Sequence, residues 1–205
     1  LVKLLTQHIH VKDNKIYITL RRVFSIVAIF ATGLSYAAEN NLYINADIGY
    51  ANIQNWWTAA PALTLNVGYN YNKYFASEAG ITWISPISTT YNGAGYTGNY
   101  TQGQSFADIA AKGSLPFSDI FSVYAKAGLG VAYSTSSMAM QSGLTNYDWN
   151  GDSSGVGLGL YMALGAELKL SQHWGVTFED YGMMPFTGNN WGNINVFGVG
   201  GKYNF

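Results

Sequence analysis

From residue 41 onward the chain alternates apolar and polar positions in eight segments, each with period two. Successive side chains of a strand point to opposite faces, so every segment carries one apolar and one polar or small face. The first, 41–50, sets Leu42, Ile44, Ala46, Ile48 and Tyr50 against Asn45, Asp47 and Gly49. The second, 61–71, opposes Leu63, Leu65, Val67, Tyr69 and Tyr71 to Thr64, Asn66, Gly68 and Asn70. In the third, 74–84, Ala79, Ile81 and Trp83 oppose Glu78, Gly80 and Thr82; in the fourth, 104–114, Ala107, Ile109 and Ala111 oppose Asp108 and Lys112. The fifth, 120–134, has Val123 to Tyr133 at odd numbers against Lys126, Gly128 and Gly130, and the sixth, 155–170, has Leu158 to Leu170 at even numbers against Tyr161, Gly165 and Glu167. The seventh, 174–182, opposes Trp174, Val176 and Phe178 to Thr177, Glu179 and Tyr181, and the last, 198–205, turns Tyr203 and Phe205 one way and Lys202 and Asn204 the other. Eight antiparallel strands close into the smallest barrel that leaves no edge, so the predicted fold is all-β: an eight-stranded antiparallel up-and-down transmembrane β-barrel.

Connection lengths alternate too. The links at 72–73, 115–119 and 171–173 are short, and those at 51–60, 85–103, 135–154 and 183–192 are long. Outer-membrane barrels keep short turns and both termini on the periplasmic side and long loops outside, and this parity obeys that rule. Aromatics gather at strand ends as interfacial girdles require: Tyr50, Trp83, Tyr133 and Trp191 toward the outer rim, Tyr71, Trp174, Tyr203 and Phe205 toward the periplasmic rim. An aromatic closing strand, Phe205 with Tyr203, is the expected membrane-assembly signal, read by the barrel-assembly machinery.

Composition supports insertion by strands rather than helices. Charged residues make up 10% of the chain, far below the ~25% usual for soluble domains, yet mean hydropathy is only +0.04. The longest apolar run, residues 23–34, is too short for a spanning helix, which needs ~18 or more. That run follows Lys15, Arg21 and Arg22 and precedes Ser35-Tyr36-Ala37, so residues 1–37 read as a leader with a signal peptide cleaved after Ala37, and 38–205 as the barrel domain. Beyond Ala37 there are ten acids and five lysines and no arginine. This balance disfavours nucleic-acid binding. With no cysteine, neither a disulfide framework nor a thiolate metal site is available.

The inward positions include Asp47, Glu78, Asp108, Lys112, Lys126, Glu167 and Glu179. A narrow eight-stranded barrel is filled by its inward side chains, so buried acids and lysines must pair or meet a large desolvation cost. A structural plug without a large pore is the expectation; a narrow ion-conducting, porin-like path is the alternative. A secreted lipocalin-like binding barrel is the rival, and it would need an apolar interior and polar exterior. Catalysis is not expected: beyond the leader the single histidine, His173, falls in a short turn, far from where an activated nucleophile would meet an outer-leaflet lipid. Asp148-Trp149-Asn150-Gly151-Asp152 begins like a calcium loop, but Ser153 and Gly159 occupy the positions where Gly and Glu are required, so no metal or cofactor is expected. What remains for function is the external side. Tyr91, Tyr96, Tyr100 and Trp149 sit among Gly, Ser, Thr and Asn, a composition suited to adaptable contact with a host or matrix ligand.

Three stretches, Ala110 to Val131 (AAKGSLPFSDIFSVYAKAGLGV), Leu164 to Tyr181 (LGAELKLSQHWGVTFEDY) and Val199 to Phe205, resemble the OmpA-like transmembrane barrel family with its small opacity-type surface proteins. Lys112, the Pro116–Asp119 turn and Tyr124-Ala125-Lys126-Ala127-Gly128 follow that family's order of lysine strand, P-x-x-D turn and Y-x-R/K-x-G strand. The resemblance implies residence in the outer membrane of a Gram-negative cell, surrounded by lipid, as a monomeric surface antigen. It also implies a charge network in the lumen, matched in part by Glu78, Lys112, Lys126, Glu167 and Glu179, with Thr177 where the family has an arginine.

Overall fold

The computed structural model describes residues 41–54, 59–93, 96–142, 148–187 and 192–205. The leader expected over residues 1–37 and the girdle residue Trp191 lie outside these. Eight strands follow one another: β1 (Leu42–Ile53), β2 (Ala60–Asn70), β3 (Phe75–Gly93), β4 (Tyr96–Pro116), β5 (Phe121–Ser142), β6 (Asp148–Lys169), β7 (Trp174–Pro185) and β8 (Ile194–Asn204). Each pairs antiparallel with the next, and β8 pairs with β1, so the sheet closes on itself. Following paired residues from Trp174 through Tyr203, Ile44, Val67, Ala79, Ile109, Leu129 and Leu160 returns to β7 at Met184, ten residues on. That stagger tilts the strands by about 40° and makes each residue advance about 2.5 Å along the barrel axis.

The faces sort as the alternation requires. Ile48, Leu65, Ile109, Leu129 and Leu164 are exposed on the outside, while Asp47, Glu78, Lys112, Lys126, Glu167 and Glu179 are buried inside. A water-soluble binding barrel has the reverse polarity, so the lipocalin-like alternative fails on this observation. Tyr71, Trp174, Tyr203 and Phe205 ring the end that carries the short turns, with Trp174, Tyr203 and Phe205 in edge-on contact. Tyr50, Trp83 and Tyr133 ring the opposite end.

The segments 85–103 and 135–154, expected as long loops, are instead mostly strand. β3 to β6 run for 19, 21, 22 and 22 residues, whereas β1, β2, β7 and β8 have 11 or 12. Four strands therefore continue past the girdle as a projecting sheet: 87–93 paired with 96–102, these with 136–142, and 134–141 with 148–155. The pairing of β3 with β2 stops at Ile84, and the register with β4 shifts between Ile84 and Ile87. Pro86 sits in this bulge, on the free edge, where its missing N–H costs no ladder hydrogen bond.

Candidate functional site

Two sites follow from this architecture: the lumen, and the sheet that projects from one end.

The lumen is stratified. In the half nearer the short turns, Lys126 bridges Glu78 (2.5 Å) and Glu179 (2.7 Å), and Lys112 joins Glu78 (3.2 Å) and approaches Glu167 (4.0 Å). Lys202 donates to both oxygens of Glu167 at 3.1 and 2.9 Å. Tyrosines complete the shell. Tyr124 and Tyr161 donate to Glu179 at 2.8 and 3.2 Å, Tyr43 donates to Glu78, and the ammonium groups of Lys112 and Lys202 lie 3.9 and 4.1 Å from the ring centres of Tyr124 and Tyr43. Such desolvated pairs persist only because several donors converge on each carboxylate. A Cβ at Gly68 would lie 2.2 Å from the Tyr43 ring, and one at Gly165 would lie 2.4 Å from the Tyr124 ring. Each ring thus occupies the space a glycine on the adjacent strand leaves.

Of the seven inward charges read from the sequence, the structure brings Glu78, Lys112, Lys126, Glu167 and Glu179 into this one network and sets two apart. Asp47 is held by hydroxyl and amide donors, Thr177 at 2.9 Å and Asn45 at 2.6 Å, and makes no contact with a lysine among the described ion pairs. Asp108 is buried with its Oδ1 unpartnered by protein. Lys202 was readable as an inward residue from the alternation of β8, yet its place in the network depends on Glu167, which lies 35 residues away. Alternation set Tyr161 on the inward face and gives Tyr43 and Tyr124 the same parity, but nothing in the sequence marked which carboxylate each of the three would reach.

Beyond the ionic layer the lumen turns apolar. Thr64, Thr82 and Tyr181 form a hydroxyl cluster at 2.6–2.8 Å, and above it Ile53, Ile84, Phe106, Met183, Ile194 and Val196 pack together fully buried. One amide interrupts that layer, since Gln104, paired with Ile84, is buried with its Oε1 unpartnered by protein. The ionic plug below and the apolar side chains above it together leave no wide aqueous path.

The projecting sheet is amphipathic. The bulge at Pro86 moves β3 by one residue, so that Tyr91 pairs with Gly98, Tyr96 with Gly93 and Tyr100 with Thr89, and all three tyrosines share the face continuous with the lumen wall. Met138 and Met140 join them, paired with Tyr100 and Gly98, and Trp149 lies opposite Met140 in register. Tyr91 and Tyr96 are half exposed. The reverse face is polar, with Ser88 bonded to Thr101 and Thr90 to Asn99, each at 2.8 Å. His173 lies elsewhere, in a short turn at the other end, its Nδ1 2.9 Å from the Asn204 carbonyl.

Comparison with known proteins places this barrel. The N-terminal β-barrel domain of Pseudomonas aeruginosa OprF is similar at 12% identity and a TM-score of 0.51, over 82% of this chain and 100% of that one. Ail, the attachment invasion locus protein of Yersinia pestis, gives 10% identity and 0.48 over 81% and 97%, and Neisserial surface protein A gives 14% and 0.47 over 80% and 97%. At these identities the likeness to OprF concerns the fold. No curated protein matches the chain. A family model described as "Outer membrane protein beta-barrel domain" matches residues 23–205. The match spans the whole closed sheet of eight strands, charged within and apolar without, and the chain belongs to that family.

Proposed function

We propose that the barrel is a closed scaffold that holds an external contact sheet at the surface of the outer membrane, and that this sheet attaches the cell to a host or matrix ligand. The observation that carries the reading is the Tyr91, Tyr96, Tyr100, Met138 and Met140 face, built on four hydrogen-bonded strands that project past the girdle. Tyrosine offers large contact area at low entropic cost and methionine adapts to irregular surfaces, so the pair suits an adhesive face. The ligand is not a polyanion. From residue 74 to 111 and from 127 to 168 there is no lysine, arginine or histidine, while Asp148 and Asp152 lie on the sheet. An uncharged or basic protein surface fits this composition. Tyr203 and Phe205, stacked edge-on at the turn end, serve assembly into the membrane rather than adhesion.

Deleting residues 88–101 removes the β3–β4 hairpin of the sheet and leaves the β3–β4 register from Phe75 to Ile84 intact. Cells carrying this deletion are expected to lose attachment to matrix-coated surfaces and cultured host cells at unchanged surface amounts of barrel. Attachment equal to that of the intact protein counts against the adhesive role.

A further inference from the structure

Asp180 is the one charged side chain that the described strands present to the apolar exterior between the two girdles. It follows Trp174, Val176 and Phe178 on the outward face of β7, exposed, with Leu164 and Phe197 directly beside it on β6 and β8. Six residues beyond Trp174, at about 2.5 Å per residue, it stands about 15 Å above the turn-end girdle, in the outer half of an apolar band about 25 Å tall, with Asn195, paired with Asn52 of β1, nearer the Tyr50 girdle. Lipid chains supply no donor there, and an acid at that depth marks a protein contact before it marks anything else.

One donor is already present. Asn195, also outward and exposed, donates its Nδ2 to Asp180 Oδ1 at 2.8 Å. Among the described residues the second carboxylate oxygen and the second amide N–H have no partner. They form an acceptor and a donor side by side on one face, which is the arrangement that a two-fold axis makes complementary to itself: the Asp180 of each copy accepts from the Asn195 amide of the other. Six residues along the same face of β8 from Asn195, Gly201 has no atom of this chain within 4 Å of the place a Cβ would take, which leaves room there for a neighbouring copy. We propose that β7 and β8 are the contact face of a two-fold dimer of this chain within the membrane, closed by reciprocal Asp180–Asn195 hydrogen bonds. This departs from the monomer expected from the sequence and is independent of the adhesive role of the external sheet.

The chain contains no cysteine, so single cysteines report proximity cleanly. Phe197, paired with Asp180 and two residues from Asn195, sits near the inferred axis; Ile109, outward on β4, is on the opposite side of the barrel. Outer membranes carrying Phe197→Cys or Ile109→Cys are oxidised with copper phenanthroline and run on non-reducing gels, with heat-modifiable migration as the check on folding. Phe197→Cys should give a disulfide-linked homodimer at least ten-fold more abundant than Ile109→Cys, lost when Asp180→Leu is added and retained with Asp180→Asn. A yield no greater than the Ile109→Cys control, a dimer indifferent to Asp180→Leu, or adducts to a different protein in place of the homodimer would each overturn the proposal. If Phe197→Cys does not fold, Gly201→Cys is read by the same criteria.

Discussion

Replacing Lys126 by methionine is expected to lower the unfolding free energy of the barrel by about 3–5 kcal/mol, the usual cost of removing one partner from a buried ion pair. Lys126 is buried between Glu78 and Glu179 at 2.5 and 2.7 Å. Its loss is unequal for the two acids. Glu78 keeps Lys112 at 3.2 Å and the Tyr43 hydroxyl, but Glu179 is left with Tyr124 and Tyr161 and no cation. A second change, Glu179→Gln, removes the stranded charge and is expected to return most of the loss. Urea titrations of the folded barrel in detergent, followed by tryptophan fluorescence, give both values. A single-variant loss below about 1 kcal/mol would mean that the lumen is wet enough to solvate Glu179, against the buried ion pairing described here.

The second large effect is steric. Gly68→Val puts a branched side chain where the Tyr43 ring now lies, 2.2 Å from its Cζ. Tyr43 is fully buried, donates to Glu78 and lies under Lys202, so it has nowhere to move without releasing both. Overpacking together with the stranded acceptor is expected to cost about 3 kcal/mol. Gly113→Val is the control: a Cβ there meets nothing within 4 Å, and the change should stay within about 0.5 kcal/mol. Equal losses at the two positions, by the same urea titration, would remove the special role of the glycine–tyrosine notches.

What the chain discloses depends on how tightly each part is constrained. The lipid face demands an apolar residue at every second position over eight strands, so Leu158 to Leu168 or Leu63 to Val67 can be read without ambiguity, and the inward set follows by parity. The partners within that set do not follow. Glu78 and Lys126 meet across β4 while Tyr43 and Tyr124 fill the spaces beside Gly68 and Gly165, a packing solution with no linear trace. The projecting sheet was hidden for a different reason. Both of its faces meet water, so Ser88, Thr90, Asn99 and Thr101 replace the apolar alternation, and the bulge at Pro86 shifts the parity on which reading depends. Threonine and tyrosine in 87–102 were the available signal, as residues that favour a pleated surface. Asp180 was visible and unassigned: it breaks the apolar file of β7 after Phe178, and its meaning needed the Asn195 that the closed sheet sets beside it.

The two layers of the lumen and the sheet above it give the barrel a single logic. A rigid, plugged cylinder cannot serve as a wide conduit, and it can hold four long strands at a fixed attitude to the cell surface. The closed lumen is therefore the premise on which the adhesive role rests. Planar-bilayer recording from the purified, folded barrel tests it most directly. The ionic layer around Lys126 and the apolar layer of Ile53, Phe106 and Met183 predict no stable high-conductance state; a sustained high conductance from the unmodified protein would contradict the account.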